Sequence, residues 1–250
     1  MSAASTCRPA PRLLVLWDLD HTLIAARGVG RAIYERAFPA ATGTPLATAV
    51  ASMSGRTELD IMAESLRLND ITPTDEMITR LARALIRGYH DARDELRTVG
   101  RALPGAHDTL ASLAHSPTVY QSVLTGNLRD VARIKLEVFH LDHYLDLDAG
   151  AYGDDDPERS KLVAIAQRRA AERVGVMFGN DATVLIGDTP KDVEAALAAD
   201  VRVIGVATGK TSMQALRDAG APHTAANLIE CQVILNRLIQ PGRPPGPGER

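Results

Sequence analysis

Short apolar runs, each closed by small or polar residues, divide the chain. Core strands are predicted at 12–17, 118–124, 183–187 and 201–206, with a weaker one near 144–148. Between Ala32 and Val99 there is hardly a strand signal. Instead, 57–68 and 75–97 follow a helical period, and the second puts Met77, Ile78, Leu81, Leu85, Tyr89, Ala92 and Leu96 on one stripe. Pro73-Thr74-Asp75 is a suitable helix entry. After Pro104-Gly105 the pattern becomes helix, strand, helix, strand, as a parallel sheet with crossover helices requires. The expectation is an α/β core formed by 12–27 and 101–235, interrupted by an all-helical insertion at 28–100.

Candidate chemistry sits at the ends of the predicted strands. The first run delivers Asp18-Leu19-Asp20-His21-Thr22 into a loop. Two carboxylates separated by a single residue leave a strand on the same side, at a cost in repulsion and desolvation that a cation between them would remove. Strand ends are also where open α/β sheets hold ligands. The competing explanation is a polar turn in which Asp20 caps a helix. The later strands lead into Thr125-Gly126-Asn127 and into Gly187-Asp188-Thr189-Pro190-Lys191-Asp192. Here too a local role competes. Asn127 is a good N-cap with Asp130 three residues on, and Thr189, Pro190 and Asp192 make a familiar helix start. Arg159-Ser160-Lys161 opens a helix running to about Val174, and two cations in a first turn oppose the helix dipole.

Composition narrows the function classes. Apolar residues at 45% and charged residues at 24% are ordinary for a globular protein, and 250 residues make one large domain or two modest ones. A net charge of -3 argues against a nucleic-acid or anionic-membrane surface. Cys7 and Cys231 read as free thiols of a reducing compartment. With no signal-peptide core and no apolar run near 18 residues, a cytoplasmic protein is expected. The tails, 1–11 and the Pro/Gly-rich 240–250, are expected to be disordered.

In order and spacing, these segments resemble the haloacid dehalogenase-like hydrolases, specifically their Mg²⁺-dependent phosphatase branch, over roughly residues 12 to 235. The resemblance implies a Rossmann-like three-layer parallel sheet, with the helical insertion as a cap closing over the site. It implies Asp18 as the nucleophile that forms an aspartyl-phosphate, and Asp20 as the acid and base for the leaving group and water. Mg²⁺ would be held by Asp18, Asp188 and the backbone carbonyl of Asp20, with Asp192 supporting the metal loop or orienting a cation. Thr125 and the amides of Gly126 and Asn127 would bind phosphoryl oxygens.

For the cation, counting back from Asp188 favours Lys161, whereas the apolar face of the helix favours Arg159. Both could instead balance Asp154, Asp155, Asp156 and Glu158 on a solvated surface, and Lys161 is the preferred assignment. His21 stands where the family commonly has glycine, and either faces the cleft or is an exposed loop residue. Gly55-Arg56-Thr57 resembles a cap loop that reaches the active site in related mutases, where Arg56 could hold a distal carboxylate or second phosphate; a solvated Arg56 is the competing and slightly favoured reading. Asp20 favours a phosphatase or phosphomutase over a dehalogenase. The reading is hydrolysis of a small phosphorylated metabolite in the phosphoglycolate-phosphatase-like group. A β-phosphoglucomutase-like phosphomutase is the alternative, and a non-catalytic phospho-ligand-binding protein the third.

Overall fold

The computed structural model describes residues 11–46 and 51–239. In chain order, strand β1 (Leu13–Trp17) is followed by β2 (Ile24–Ala25) and by four helices. These are α1 (Val29–Thr42), α2 (Glu58–Arg67), α3 (Asp75–Asp91) and α4 (Arg93–Val99). Then come β3 (Arg101–Ala102), α5 (Ala106–Ala114), β4 (Val119–Val123), α6 (Arg129–Val138) and α7 (Lys161–Val174). The chain closes with β5 (Thr183–Gly187), α8 (Pro190–Ala198), β6 (Arg202–Val206), α9 (Met213–Asp218), β7 (His223–Ala225) and α10 (Leu228–Ile239).

Five strands form one parallel sheet in the order β4-β1-β5-β6-β7. The continuous apolar run of β1 is explained by its two faces. Leu13, Val15 and Trp17 join the core shared with the inserted helices, while Leu14 and Leu16 join the core under α7 and α8. A strand covered on both sides has no polar face to display. The result is an α/β, Rossmann-like three-layer core carrying a helical cap. The cap leaves and rejoins the core through a two-stranded antiparallel neck, in which Ile24 pairs with Ala102 and Ala25 with Arg101.

β1 is the strand around which the connections reverse. Trp17 is level with Val123 of β4 on one side and Ile186 of β5 on the other, so the three strands end together. Asp18 N donates to the Ile186 carbonyl at 2.9 Å, and Leu124 N donates to the Trp17 carbonyl at 2.9 Å. The residues just beyond these ends therefore share one crevice.

Some expectations are corrected. The weak strand at 144–148 is absent, because Asp146 turns the chain there. Its carboxylate accepts from the amides of Asp148 and Ala149, while its own amide donates to Gln121. The helical stretch 75–97 divides at Ala92 (φ -92°, ψ 15°) into α3 and α4. The strand β7, short and half polar, was not anticipated. Apart from residue 11, the tails expected to be disordered lie outside the described residues, as does Cys7. Cys231 is buried in α10, and burial pushes its thiol up to about 12. Among the described residues, no helix is long and apolar enough to cross a membrane.

The only tryptophan of the chain, Trp17, is fully buried next to Asp18, and its Nε1 donates to Gln121 Oε1 at 3.1 Å. Gln121 Nε2 in turn donates to the Leu110 carbonyl at 3.0 Å. Gln121→Leu orphans both partners, and a loss of about 1–3 kcal/mol is expected in urea unfolding followed by Trp17 fluorescence.

Candidate active site

Carboxylates from three positions converge at the tips of β1 and β5. Asp18 follows β1, Asp188 follows β5, and Asp192 stands in the first turn of α8. One oxygen from each lies within 4.8 Å of the others, and all three residues are buried. Asp192 is held by the start of its helix. Thr189 caps α8, and Asp192 Oδ2 accepts from Thr189 N at 3.0 Å and from Thr189 Oγ1 at 2.7 Å. Its other oxygen accepts from Arg159 Nη2, which also donates to Asp18 Oδ1 at 2.9 Å. The capping role and the orientation of a cation thus coincide in one residue.

These contacts decide which carboxylates have capacity left for a cation. Both Asp192 oxygens are committed, whereas Asp188 Oδ1 is buried with no hydrogen-bond partner among the described residues. Buried, unpaired carboxylate oxygens are costly, and an all-oxygen donor set suits a hard divalent cation. The residues present therefore fit such an ion, with Asp18 and Asp188 offering the free oxygens. Arg159 Nε is likewise buried without a partner, a donor left for an anion.

Asp20 points elsewhere. Its Oδ2 accepts from Lys135 Nζ at 2.6 Å and from Asn127 Nδ2 at 2.8 Å. Lys135 also donates to Asn127 Oδ1 at 2.7 Å, and Asn127 Nδ2 reaches Thr125 Oγ1 at 2.9 Å. Asn127 is therefore a bridge between Asp20, Lys135 and Thr125 rather than a helix cap. The first amide of α6, at Arg129, is taken instead by Asp154 Oδ1 at 3.1 Å.

Lys135 is a site residue that the strand-tip motifs did not indicate. It is buried in α6, with its ammonium 5.1 Å from the Tyr89 ring centroid. The available signal was its phase, because Lys135 lies four residues after Val131 and three after Ala132, on the apolar stripe.

The other predicted residues divide. Lys161, the preferred cation, is not in the cluster. Its side chain is 57% exposed and pairs with Glu158 at 3.1 Å and Asp156 at 3.7 Å. Arg159, with 8% side-chain exposure, is the cation against Asp18, since it lies just ahead of α7 and turns inward. His21 is exposed and takes a left-handed conformation (φ 63°), with its carbonyl accepting from Thr208 Oγ1 at 2.6 Å. It thus adopts the backbone that glycine would favour.

The Gly55-Arg56-Thr57 loop does reach the crevice, but with its main chain. A Cβ on Gly126 would lie 1.9 Å from the Arg56 carbonyl oxygen, so only glycine fits there. The Arg56 guanidinium is engaged by Asp60, with Nε 2.6 Å from Oδ2.

The electrostatics follow from burial and from the imbalance of charge. Burial, and then the charge of Asp192, push Asp18 up to about 7 against the opposing pull of Arg159. Burial, and then Asp18 and Asp192, push Asp188 up to about 8. Asp20 moves the other way, because Lys135 outweighs its burial and holds it below the usual carboxylate range.

A family model described as haloacid dehalogenase-like hydrolase matches residues 15–197. Among solved structures, a hydrolase from Pseudomonas syringae is similar at 23% identity and TM-score 0.66, over 90% of this chain and 98% of that one. A predicted phosphatase from Clostridium acetobutylicum is similar at 21% identity and TM-score 0.65, over 91% and 100%. A candidate β-phosphoglucomutase from Bacteroides vulgatus aligns at 18% identity and TM-score 0.65, over 91% and 89%. No curated protein matches by sequence.

Carboxyls raised in the folded chain keep their protons after the unfolded chain has released its own. In EDTA, the unfolding free energy should therefore fall as pH rises from about 4 to about 8, by more than about 1 kcal/mol. Asp188→Asn should flatten this decline in urea titrations at successive pH values.

Proposed function

Because the chain belongs to the haloacid dehalogenase-like hydrolases, with the family model spanning most of its length, we propose that it is a Mg²⁺-dependent phosphatase acting on a small phosphate monoester. The observation that carries this reading is the division of the strand tips into two parts. One is a carboxylate cluster around Asp18 and Arg159, and the other a separate acid–base pair, Asp20 and Lys135. A binding protein would have no use for the second part.

In this reading Asp18 attacks phosphorus in line. The bond from its oxygen to phosphorus forms as the ester oxygen leaves, and Asp20, ionised at rest beside Lys135, passes to that oxygen a proton brought in by the phosphate monoanion. Asp20 then takes a proton from water, whose oxygen displaces Asp18 and releases phosphate. Arg159 holds Asp18 in position, and its unpaired Nε is a donor for a phosphoryl oxygen. The Thr125 hydroxyl and the amides around Gly126 and Asn127 supply further donors.

Mg²⁺ bound by Asp18 and Asp188 would supply charge neutralisation between nucleophile and phosphate and fix their alignment. Asp192, with both oxygens engaged, orients Arg159 rather than ligating the ion. Lys135 keeps Asp20 directed away from the carboxylate cluster, so that two acids two residues apart serve different steps.

Arg159→Met is expected to lower kcat at least about 100-fold with p-nitrophenyl phosphate, and Lys161→Met to leave it within about twofold. Comparable losses in both would reject Arg159 as the cation. EDTA should abolish turnover and added Mg²⁺ restore it, and Asp18→Asn should be inactive. Stoichiometric phosphate release without a bisphosphorylated activator separates hydrolysis from a phosphomutase cycle.

A further inference from the structure

The cap meets the core along a seam of main-chain contacts next to Thr125. Glu58 N donates to the Gly126 carbonyl at 2.7 Å, and Leu59 N to the Gly153 carbonyl at 3.3 Å. Thr57 Oγ1 donates to the Pro157 carbonyl at 2.8 Å. Neither glycine has room for a side chain, since a Cβ on Gly153 would lie 1.8 Å from the Gly126 carbonyl oxygen. This seam fixes the backbone of Glu58 one hydrogen bond from the phosphate-binding turn. It also occupies the first two amides of α2, which are therefore not available to an anion.

The Glu58 carboxylate makes no hydrogen bond or ion pair among the described residues. The charged groups that act on it are Lys135, Asp20 and Asp154, and it in turn acts on Tyr34 and Tyr89. Its backbone is tied to Gly126, the neighbour of the Asn127 that donates to Asp20, which puts Glu58 beside the Asp20–Lys135 pair. Lys135 is already committed to Asp20 and Asn127, and Arg56, the other cap cation close by, is committed to Asp60. Of the charged groups that act on Glu58, two are carboxylates, Asp20 and Asp154, and one is the ammonium of Lys135.

We propose that Glu58 is the specificity residue of the cap, accepting hydrogen bonds from the alcohol part of the substrate. The preferred esters would be those whose alcohol bears an ammonium or hydroxyl donor, over those bearing a carboxylate or second phosphate. This rests on the phosphatase reading and narrows its substrate class. A distal anion would face repulsion from Glu58, and the cations shown beside it, Lys135 and Arg56, are already engaged, whereas a donor would pair with a carboxylate that has no other partner among the described residues.

The test is kcat/KM for phosphoethanolamine against phosphoglycolate, in the full chain and in its Glu58→Gln and Glu58→Arg variants. The expected ratio is at least about 10 in favour of phosphoethanolamine, collapsing toward 1 in Glu58→Gln and inverting in Glu58→Arg. A ratio below 1 in the unaltered protein, or one unchanged in Glu58→Gln, overturns the assignment. If neither compound nor p-nitrophenyl phosphate is hydrolysed, the phosphatase reading fails on its own account. The relative affinities of the two compounds for Asp18→Asn, by calorimetry, then still decide whether Glu58 discriminates between them.

Discussion

Three carboxylates meet one guanidinium at the tips of two buried strands, and most of the local architecture follows from that imbalance. Arg159 can hold Asp18 and Asp192 at once, because a planar fork presents several donors from a fixed centre. It leaves Asp188 Oδ1 without a partner among the described residues. A fold in which β1, β4 and β5 end level gives these acids no means of spreading apart. The cluster is therefore stable only with some of its carboxyls protonated or with a cation among them.

The second cation keeps the two halves of the chemistry from merging. Lys135 draws Asp20 away from the cluster and toward Asn127 and Thr125, so its charge is balanced locally. Without that ammonium, Asp20 would add a fourth negative charge to the same crevice. The two acids of the first loop consequently have opposite electrostatic characters, one raised and one lowered, despite being two residues apart.

Much of this was legible in the chain. The buried strands announced themselves because each is covered on both faces and so is apolar throughout. Asp18, Thr125 and Asp188 could be found because they follow those strands directly. What depended on side-chain direction was harder to read. Arg159 and Lys161 are two residues apart, and loop counting cannot tell which turns inward ahead of α7. Lys135 lies eight residues past Asn127, on the helix that follows that strand tip rather than in the motif itself, marked only by a charge among apolar neighbours. Arg56 lay in the right loop, but its partner Asp60, one helical turn on, had already engaged it. The strand near 144–148 was displaced by the hydrogen bonds of a single aspartate, a local competition that hydropathy does not register.

The seam at Gly126 and Gly153 separates two tasks that often share the same side chains. Two of its three hydrogen bonds run from backbone amide to backbone carbonyl, and the third uses only the Thr57 hydroxyl. Closing the lid thus asks nothing of the chemical identity of residue 58. A lineage could exchange that residue, and with it the preferred metabolite, while the mechanism of enclosure passed unchanged to its descendants.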